Sequence, residues 1–187
     1  MTQEMDLTAV SRHLCRLLRH EPELARLHMD EHGWVEISEL LENFGRYPIT
    51  RQLLDRIVQE DDKGRYRISP DGTRIKCCQG HSIPWVQPEL EEAAPPAVLY
   101  HGTTAEATEL ILESGRIDKM GRHHVHMHGD ISQAWRSARR RKGKRGVLLV
   151  IDAEAMAAAG FRFYRSENDV WFADSVPTAF IREICRD

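Results

Sequence analysis

The sequence predicts an α+β protein with two lobes, and three observations lead to that prediction. Its 187 residues suffice for one large domain or two small lobes with a substantial core. The first half has helical patterns followed by a hairpin signal, whereas the second half has several short apolar runs with strand character. Between them, residues 87–96 contain three prolines and three glutamates, which is typical of a linker. We therefore expect a lobe over 1–86, a linker over 87–96 and a lobe over 97–187.

The first lobe is predicted to contain helices followed by a two-stranded hairpin. Apolar residues at helical spacing predict a helix over Leu7–Arg19, with Asp6 as its cap and Pro22 as its stop. The following elements are an extended piece at Trp34–Glu36, a helix with Ser38 as its candidate cap, a helix from Thr50, and strands at Arg65–Ser69 and Thr73–Cys77 joined by Ser-Pro-Asp-Gly. This order indicates a winged-helix-like arrangement, which is common in nucleic-acid-binding lobes.

The second lobe is predicted to contain a small, mixed or antiparallel sheet with few helices. The expected strands are Val98–Tyr100, His123–His128, Val147–Ile151, Phe161–Tyr164, Val170–Phe172 and Phe180–Ile184. The expected helices are Ala105–Glu113 with Gly115 near its end, a helix from Asp130 to about Arg141, and Glu154–Ala159.

Composition excludes several classes of protein. No apolar run approaches the roughly 20 residues of a membrane helix, and the N-terminal residues lack the pattern of a signal peptide. The four cysteines have neither the spacing of a zinc site nor that of a disulfide framework. We therefore expect a cytoplasmic protein with reduced thiols, no resident metal and no membrane partner, and we expect it to be a monomer.

Positive charge is concentrated in two places, although the net charge is −3. Seven of the ten residues in Arg136–Arg145 are basic, and a second group of Arg12, Arg16, Arg19 and His20 lies in the first predicted helix. Local positive patches on an acidic body suit a polyanionic ligand that is held at one place. The alternative is that these charges form solvated helix faces.

Four short segments contain residue types that bind phosphate or a nucleotide. They are Leu18–Pro22, Gln79–Ser82 after the hairpin, Tyr100–Thr103 and Arg122–His126. At Tyr100–Thr103 we expect a strand to run into a loop, where Gly102 lets the backbone approach a ligand. Taken alone, Arg19–His20 could be a helix C-terminal cap, His81 could close the hairpin loop, and Ser82 could cap a backbone group.

Together these segments resemble the NAD-dependent RNA 2′-phosphotransferase family. The resemblance covers nearly the whole chain, from about Val10 to the C-terminus. Its motifs are L-L-R-H-x-P at Leu17–Pro22, G-W at Gly33–Trp34, the Pro-Asp-Gly hairpin, Q-G-H-S at Gln79–Ser82, Y-H-G-T at Tyr100–Thr103, R-H-x-V-H at Arg122–His126 and E-N-x-V-W at Glu167–Trp171.

The resemblance implies a winged-helix-like RNA lobe followed by an ADP-ribosyltransferase-like lobe that binds NAD as co-substrate. It also implies two steps. An RNA 2′-phosphate, for example one in tRNA, attacks the nicotinamide ribose, and nicotinamide leaves. A ribose hydroxyl then attacks phosphorus, which frees the RNA 2′-hydroxyl and ADP-ribose 1″,2″-cyclic phosphate. Such chemistry needs alignment and positive charge more than a protein nucleophile.

The family assigns catalysis to an Arg-His pair and two further arginines, which align here with Arg19, His20, Lys76 and Arg140. Lys76 departs from the family segment I-R-A-x-Q-G-H-S, because lysine keeps the charge but loses the bidentate fork. The second step could therefore be slower, or Arg74 could substitute. Arg139 and Arg141 remain alternatives to Arg140.

For NAD, the resemblance implies contacts from His101, Gly102, Thr103, His126 and Val170, of which Val170 takes the place of the catalytic glutamate in protein-modifying relatives. His128 replaces a family serine and could alter the contact to NAD. Further candidates for contacts to RNA phosphates are Arg16, Arg74, His81, Ser82, Arg139 and Arg141.

Three other functions stay open from the sequence. A capping ADP-ribosyltransferase would use the first step alone on terminal phosphates of RNA or DNA. A winged-helix nucleic-acid-binding protein could have an inactive second lobe. A regulatory protein could bind a metal through His124, His126 and His128, which alternate on one strand face.

Overall fold

A computed structural model of the chain describes residues 6–45, 49–140 and 142–187. Helices and antiparallel strands are mixed along the chain, which confirms the α+β class. The chain divides into two compact units, unit 1 over Met1–Glu89 and unit 2 over Leu90–Asp187. Within the described residues, no helix has the length and apolar character needed to cross a membrane.

Over residues 6–45 and 49–89, unit 1 combines three helices with a three-stranded sheet. Its elements are α1 (Leu7–Arg19), a 3₁₀ turn (Pro22–Ala25), β1 (Val35–Glu36), α2 (Ile37–Asn43), α3 (Arg51–Gln59), β2 (Tyr66–Ile68) and β3 (Arg74–Cys77). The strand order is β1-β3-β2 and both pairings are antiparallel. The core of this unit includes Val10, Leu14, Leu17 and Leu18 of α1.

The helix starts in unit 1 follow from capping side chains. Asp6 accepts hydrogen bonds from the backbone N–H groups of Thr8 and Ala9, at 3.0 and 3.2 Å, and Thr50 caps α3 through Leu53 N. The Asp6 cap was predicted, and a helix was predicted to begin at Thr50. The cap at Ser38 is wrong: α2 begins at Ile37 after Glu36, which makes no side-chain cap, because the strand β1 runs directly into the helix.

Unit 2 is a seven-stranded antiparallel sheet with helices packed on it. Its elements are β4 (Glu91–Glu92), β5 (Val98–Thr104), α4 (Ala105–Ser114), β6 (Arg116–Asp118), β7 (Val125–His128), α5 (Ile131–Ala138), β8 (Gly146–Asp152), α6 (Ala153–Ala158), β9 (Tyr164–Arg165), β10 (Val170–Ala173), β11 (Ser175–Pro177), a 3₁₀ turn (Thr178–Phe180) and β12 (Ile181–Arg186). The sheet order is β12-β8-β5-β7-β10-β9-β4, and β6 pairs separately with β11.

Several elements of unit 2 differ from the sequence prediction. The expected linker over 87–96 contains β4, which pairs with β9. The prolines therefore did not show that this segment contains a strand. The strands β6 and β11 were not predicted, since each has only three residues. The helix α5 begins after the cap Asp130 as expected but ends at Ala138, three residues before the predicted end.

Candidate active site

Arg19 lies at the last residue of α1, with its guanidinium against Gly80. Gly80 has a φ of +89°, and a Cβ built there would lie 3.4 Å from Cζ and from Nη1 of Arg19. The Arg19 Nε and Nη2 atoms are shielded from solvent, and among the described residues neither has a hydrogen-bond partner. A buried donor without a partner is costly unless a ligand completes it. Two such donors on one guanidinium have the geometry to bind two oxygens of a single anion.

His20 is joined to the segment Gln79–Ser82 by two contacts. Its Nδ1 lies 2.8 Å from the hydroxyl oxygen of Ser82, and the Ser82 N–H donates to the Arg19 carbonyl at 2.9 Å. The imidazole is exposed, so it can reach a substrate while Ser82 orients it. The Leu18–Pro22 and Gln79–Ser82 motifs are therefore in contact within unit 1.

His81 packs inside unit 1 rather than at its surface. Its side chain is 1% exposed, and a Cβ on Gly33 would lie 2.8 Å from His81 Nε2. Gly33, with a φ of +84°, thus leaves the space that the ring fills. The contact joins the Gly33–Trp34 motif to Gln79–Ser82, while RNA binding by His81 stays a prediction.

Lys76 is buried and engaged by two neighbours. It is 2% exposed, its Nζ hydrogen-bonds the Glu89 carboxylate, and the same Nζ lies 4.6 Å from the centre of the Trp34 ring. The hydrogen bond from Lys76 is the main cause that lowers the pKa of Glu89. The Lys76 ammonium and the Glu89 carboxylate therefore form an ion pair, in which Glu89 offsets part of the positive charge.

Arg74 and Arg16 lie nearer to solvent than Lys76. The Arg74 guanidinium lies 5.4 Å from the Trp34 ring centre and 3.6 Å from the Asp30 carboxylate. Arg16 is exposed and pairs with Glu21 at 2.5 Å. Both cations have carboxylate neighbours at the surface, where ion pairs exchange partners at small cost.

In unit 2, His101 is a neutral imidazole with a defined tautomer. Burial is the main cause that lowers its pKa below the usual range, against the hydrogen bond with His126, which acts to raise it. The His101 Nδ1 lies 2.8 Å from the His126 carbonyl oxygen. Because a carbonyl only accepts, Nδ1 carries the proton and Nε2 presents a lone pair. Such a ring accepts a hydrogen bond from a hydroxyl group.

Gly102 is where α5 packs against β5. A Cβ built on Gly102 would lie 2.2 Å from the Ala134 carbonyl oxygen and 2.8 Å from the Ala138 nitrogen. The prediction of a loop at Tyr100–Thr103 is wrong, because β5 continues to Thr104 and pairs with β8 along this stretch. The close approach at Gly102 is therefore that of a helix backbone, and contact with NAD stays a prediction.

The remaining nucleotide candidates lie on neighbouring strands. Thr103 pairs with Val147 in the sheet, and Val170 is buried opposite His128 in the register of β10 with β7. The His126 ring packs edge-on against Phe172 with 4.8 Å between centres. His128 Nε2 lies 3.2 Å from the Ser137 hydroxyl, which connects β7 to α5.

The alternative of a metal site on the histidines of β7 finds no support in the described residues. Over residues 6–45, 49–140 and 142–187, no group of three or more His, Cys, Asp or Glu side chains is placed to hold a metal ion. The histidines of β7 instead make separate contacts: His124 lies 3.7 Å from Asp174, and His126 Nδ1 lies 3.0 Å from the His124 carbonyl.

Basic side chains follow the end of α5. Arg139 pairs with Asp187 and lies over the Trp135 ring, 4.8 Å from its centre. Arg140 is exposed, whereas Arg141 lies outside the described residues. Arg139 is exposed as well, but its guanidinium is paired with Asp187. Arg140 is therefore the better candidate for the fourth predicted position, and this assignment stays a prediction.

Sequence reasoning missed two residues that shape the site. Glu89 was placed in a linker, and nothing local signals its pairing with Lys76, thirteen positions away. Gly80 lies within the Gln79–Ser82 motif, but no role was predicted for it. A glycine between polar motif residues is a signal for positive φ or a close contact, and Gly80 has both.

The shielded guanidinium and the oriented imidazole of unit 1 are typical of an enzyme that binds an anionic substrate. Residues 5–175 match the RNA 2′-phosphotransferase, Tpt1 / KptA family. Proteins named "Probable RNA 2′-phosphotransferase" are similar along nearly their full length. That of Fusobacterium nucleatum is 44% identical over 175 residues, 92% of this chain and 96% of the relative.

Two further relatives with the same name agree. The Pseudomonas fluorescens protein is 43% identical, covering 93% of this chain and 95% of the relative. The Nostoc punctiforme protein is 39% identical, covering 95% and 97%. The chain belongs to the RNA 2′-phosphotransferase family, as the resemblance predicted.

Proposed function

We propose that this protein is an NAD-dependent RNA 2′-phosphotransferase that removes an internal 2′-phosphate from RNA such as tRNA. The observation that supports it most directly is the Arg19 guanidinium, shielded from solvent with two nitrogens that lack a partner among the described residues. A phosphate dianion supplies the oxygens that these nitrogens need. His20, the next residue, supplies a group that can move a proton near neutral pH.

In the proposed first step, an oxygen of the RNA 2′-phosphate forms a bond with C1″ of the nicotinamide ribose. The bond from C1″ to the ring nitrogen breaks, and its electron pair leaves with neutral nicotinamide. The phosphate is already a nucleophile at neutral pH, so no side chain has to be deprotonated. Arg19 aligns the phosphate with C1″ and limits its motion.

In the proposed second step, phosphorus is attacked by the 2″-hydroxyl and its bond to the RNA 2′-oxygen breaks. The products are RNA with a 2′-hydroxyl and ADP-ribose 1″,2″-cyclic phosphate. Arg19 stabilises the equatorial oxygens, with Lys76 and Arg140 as the further cations. His20, held by Ser82 at 2.8 Å, moves the proton between the hydroxyl and the departing oxygen.

The two units have different proposed roles. For unit 1 we infer a winged-helix-like RNA lobe, supported by its three helices and the sheet in which β1 joins the hairpin of β2 and β3. For unit 2 we infer an ADP-ribosyltransferase-like lobe that binds NAD. The chemistry of His101 fits NAD, because a neutral ring with a lone pair on Nε2 suits a ribose hydroxyl. Gly102, Thr103, His126 and Val170 would complete that site.

Contacts to the RNA backbone are proposed for the more exposed cations. Arg16, Arg74, Arg139 and Arg140 are the candidates, and Arg16, Arg74 and Arg139 pair with surface carboxylates in the described structure. Such pairs are individually weak, so RNA phosphates can replace the carboxylates, and the gain depends on salt concentration.

A capping ADP-ribosyltransferase is the second candidate, and the pairing of Lys76 with Glu89 favours it. A lysine whose charge is offset by a carboxylate stabilises the second transition state less than a free cation. Weakening the second step alone would leave the ADP-ribosylated phosphate as the product. A terminal phosphate on RNA or DNA would then serve as acceptor.

One incubation separates these functions. An RNA oligonucleotide with a single internal 2′-phosphate is mixed with the protein and EDTA, with and without NAD, and the RNA mass and released nicotinamide are measured. Loss of the phosphate together with nicotinamide release only when NAD is present supports the proposal. A stable RNA adduct supports the capping activity. Binding with no change of mass in either condition would refute both enzymatic functions.

A further inference from the structure

Two thiols lie beside the proposed phosphate-binding arginine. Cys15 is on α1 and Cys77 is on β3, and both are free cysteines. Both lie in one core, in which Cys77 is buried and Cys15 packs against the buried residues. The Tyr66 hydroxyl lies 3.0 Å from Cys15 Sγ, and Tyr66 is the strand partner of Cys77 in the pairing of β2 with β3. The resemblance places alanine where this chain has Cys77, so the second thiol is a property of this chain.

The same thiols act on Arg19. Cys15 precedes Arg19 by four residues on α1 and therefore shares its face of the helix. Burial acts to lower the pKa of the Arg19 guanidinium, but the neighbouring Cys77 and Cys15 raise it above the usual value. The dithiol and the guanidinium thus form one cluster between α1 and β3.

The two sulfurs differ in reactivity. A hydrogen bond with Cys77 is the main cause that lowers the pKa of Cys15 to about 6, and the charge of Arg19 adds to it against the effect of burial. Burial raises the pKa of Cys77 well above its usual range. Cys15 is half-buried, whereas Cys77 is 1% exposed. Cys15 is thus the thiolate that a small oxidant reaches, with Cys77 as the thiol next to it.

We propose that Cys15 and Cys77 form a modification site for hydroperoxides, at which oxidation joins them in a disulfide and reduces the activity that depends on Arg19. The effect on activity rests on the proposed function, whereas the disulfide does not.

The chemistry balances in two steps. The Cys15 thiolate attacks the peroxide oxygen, the O–O bond breaks, and a proton converts the leaving hydroxide to water, which gives a sulfenic acid. The Cys77 sulfur then attacks the Cys15 sulfur, the S–O bond breaks, and the thiol proton leaves in a second water. The two thiols lose two electrons and the peroxide gains them. A dithiol reductant reverses the change.

Disulfide formation should disturb Arg19 through the helix. A covalent bond draws the two sulfurs closer than a hydrogen bond does, so α1 has to shift against β3. Arg19 is on the next turn of α1, in contact with Gly80 across that interface. Misplacement of a positioning group by about 1 Å can reduce a rate about 100-fold, so we expect at least a tenfold loss.

The test treats the full chain with a small excess of hydrogen peroxide, and then counts free thiols and maps peptides without reduction. We expect two of the four thiols to be lost in an intramolecular Cys15–Cys77 bond. Cys77→Ala should keep its basal activity and form no disulfide, while Cys185→Ala and Cys78→Ala, the controls, should behave as the unmodified protein does. Activity should fall at least tenfold with peroxide and return with dithiothreitol.

The outcomes separate this proposal from the proposed function. Four intact thiols after treatment, or a disulfide between other cysteines, would overturn the modification site. A mapped Cys15–Cys77 bond with unchanged phosphate removal would overturn the effect on activity. A mapped bond in a protein without any phosphate removal would count against the proposed function and still support the modification site.

Discussion

Substitution of Gly102 by alanine is the sharpest test of how β5 and α5 fit together. The added methyl carbon would lie 2.2 Å from the Ala134 carbonyl oxygen and 2.8 Å from the Ala138 nitrogen. Both are helix backbone atoms, so no side-chain rotation relieves the contact. Restoring a carbon–oxygen separation near 3.3 Å requires α5 to move by about 1 Å.

Overpacking of this kind typically costs about 1–3 kcal/mol, and a clash with backbone belongs at the upper end of that range. A loss of about 3 kcal/mol corresponds to a fall in Tm of roughly 6–12 °C for a chain of this length. The matched control is Gly146→Ala, whose Cβ would meet the Ala138 Cβ at 3.4 Å, an ordinary contact that costs less than about 1 kcal/mol. Thermal and urea unfolding measure both variants.

The same shift should impair phosphate transfer, because the chain runs from α5 into Arg139 and Arg140. A displacement of about 1 Å in a positioning group can reduce a rate about 100-fold, so we expect such a loss at a temperature where Gly102→Ala is still folded. Equal Tm values for the two alanine variants would show that α5 does not approach Gly102 as described.

Three other substitutions test local interactions. Lys76→Met should change the free energy of unfolding by less than about 1 kcal/mol, as measured with urea. Lys76→Ala should lower that free energy by about 2–4 kcal/mol, because it leaves a cavity. Equal losses in the two variants would contradict a packing role for the Lys76 side chain. Asp6→Ala should cost about 1 kcal/mol through the lost cap of α1, and no change in Tm would refute the cap. His101 has a folded-state pKa below its unfolded value, so the unfolded chain binds more protons below about pH 6.5 and stability falls as the pH drops through that region. His101→Asn should flatten that fall, and an unchanged slope would contradict a neutral His101.

Local sequence signals predicted the elements that depend on local interactions. The helix α1 was predicted at both ends, because the Asp6 cap and the apolar spacing are properties of neighbouring residues. The strands β4 and β6 were missed, since two or three residues form a strand only when a distant partner is available. The extension of β5 through Gly102 was missed for the same reason: its partner β8 lies more than forty residues later in the chain.

The candidate site was predictable in its residue types and less so in its contacts. The Arg19–His20 and Gln79–Ser82 motifs were recognised from their order, and the structure joins them through Ser82. The sequence could not predict that Lys76 is buried with Glu89. Neighbouring strand residues point to opposite faces of a sheet, and the sequence does not show whether the face that carries Lys76 is covered. That pairing is set by tertiary packing around Trp34.

The most direct test of the account is the rate of 2′-phosphate removal in an Arg19→Ala variant, measured in a single turnover with saturating NAD. Arg12→Ala, an exposed arginine on the same helix, is the matched control. We expect the rate to fall at least 100-fold in Arg19→Ala, while an unchanged Tm shows that the variant is folded. The rate of Arg12→Ala should stay within about threefold of that of the unmodified protein. Equal rates for the two variants would contradict the claim that the guanidinium beside Gly80 binds the transferred phosphate.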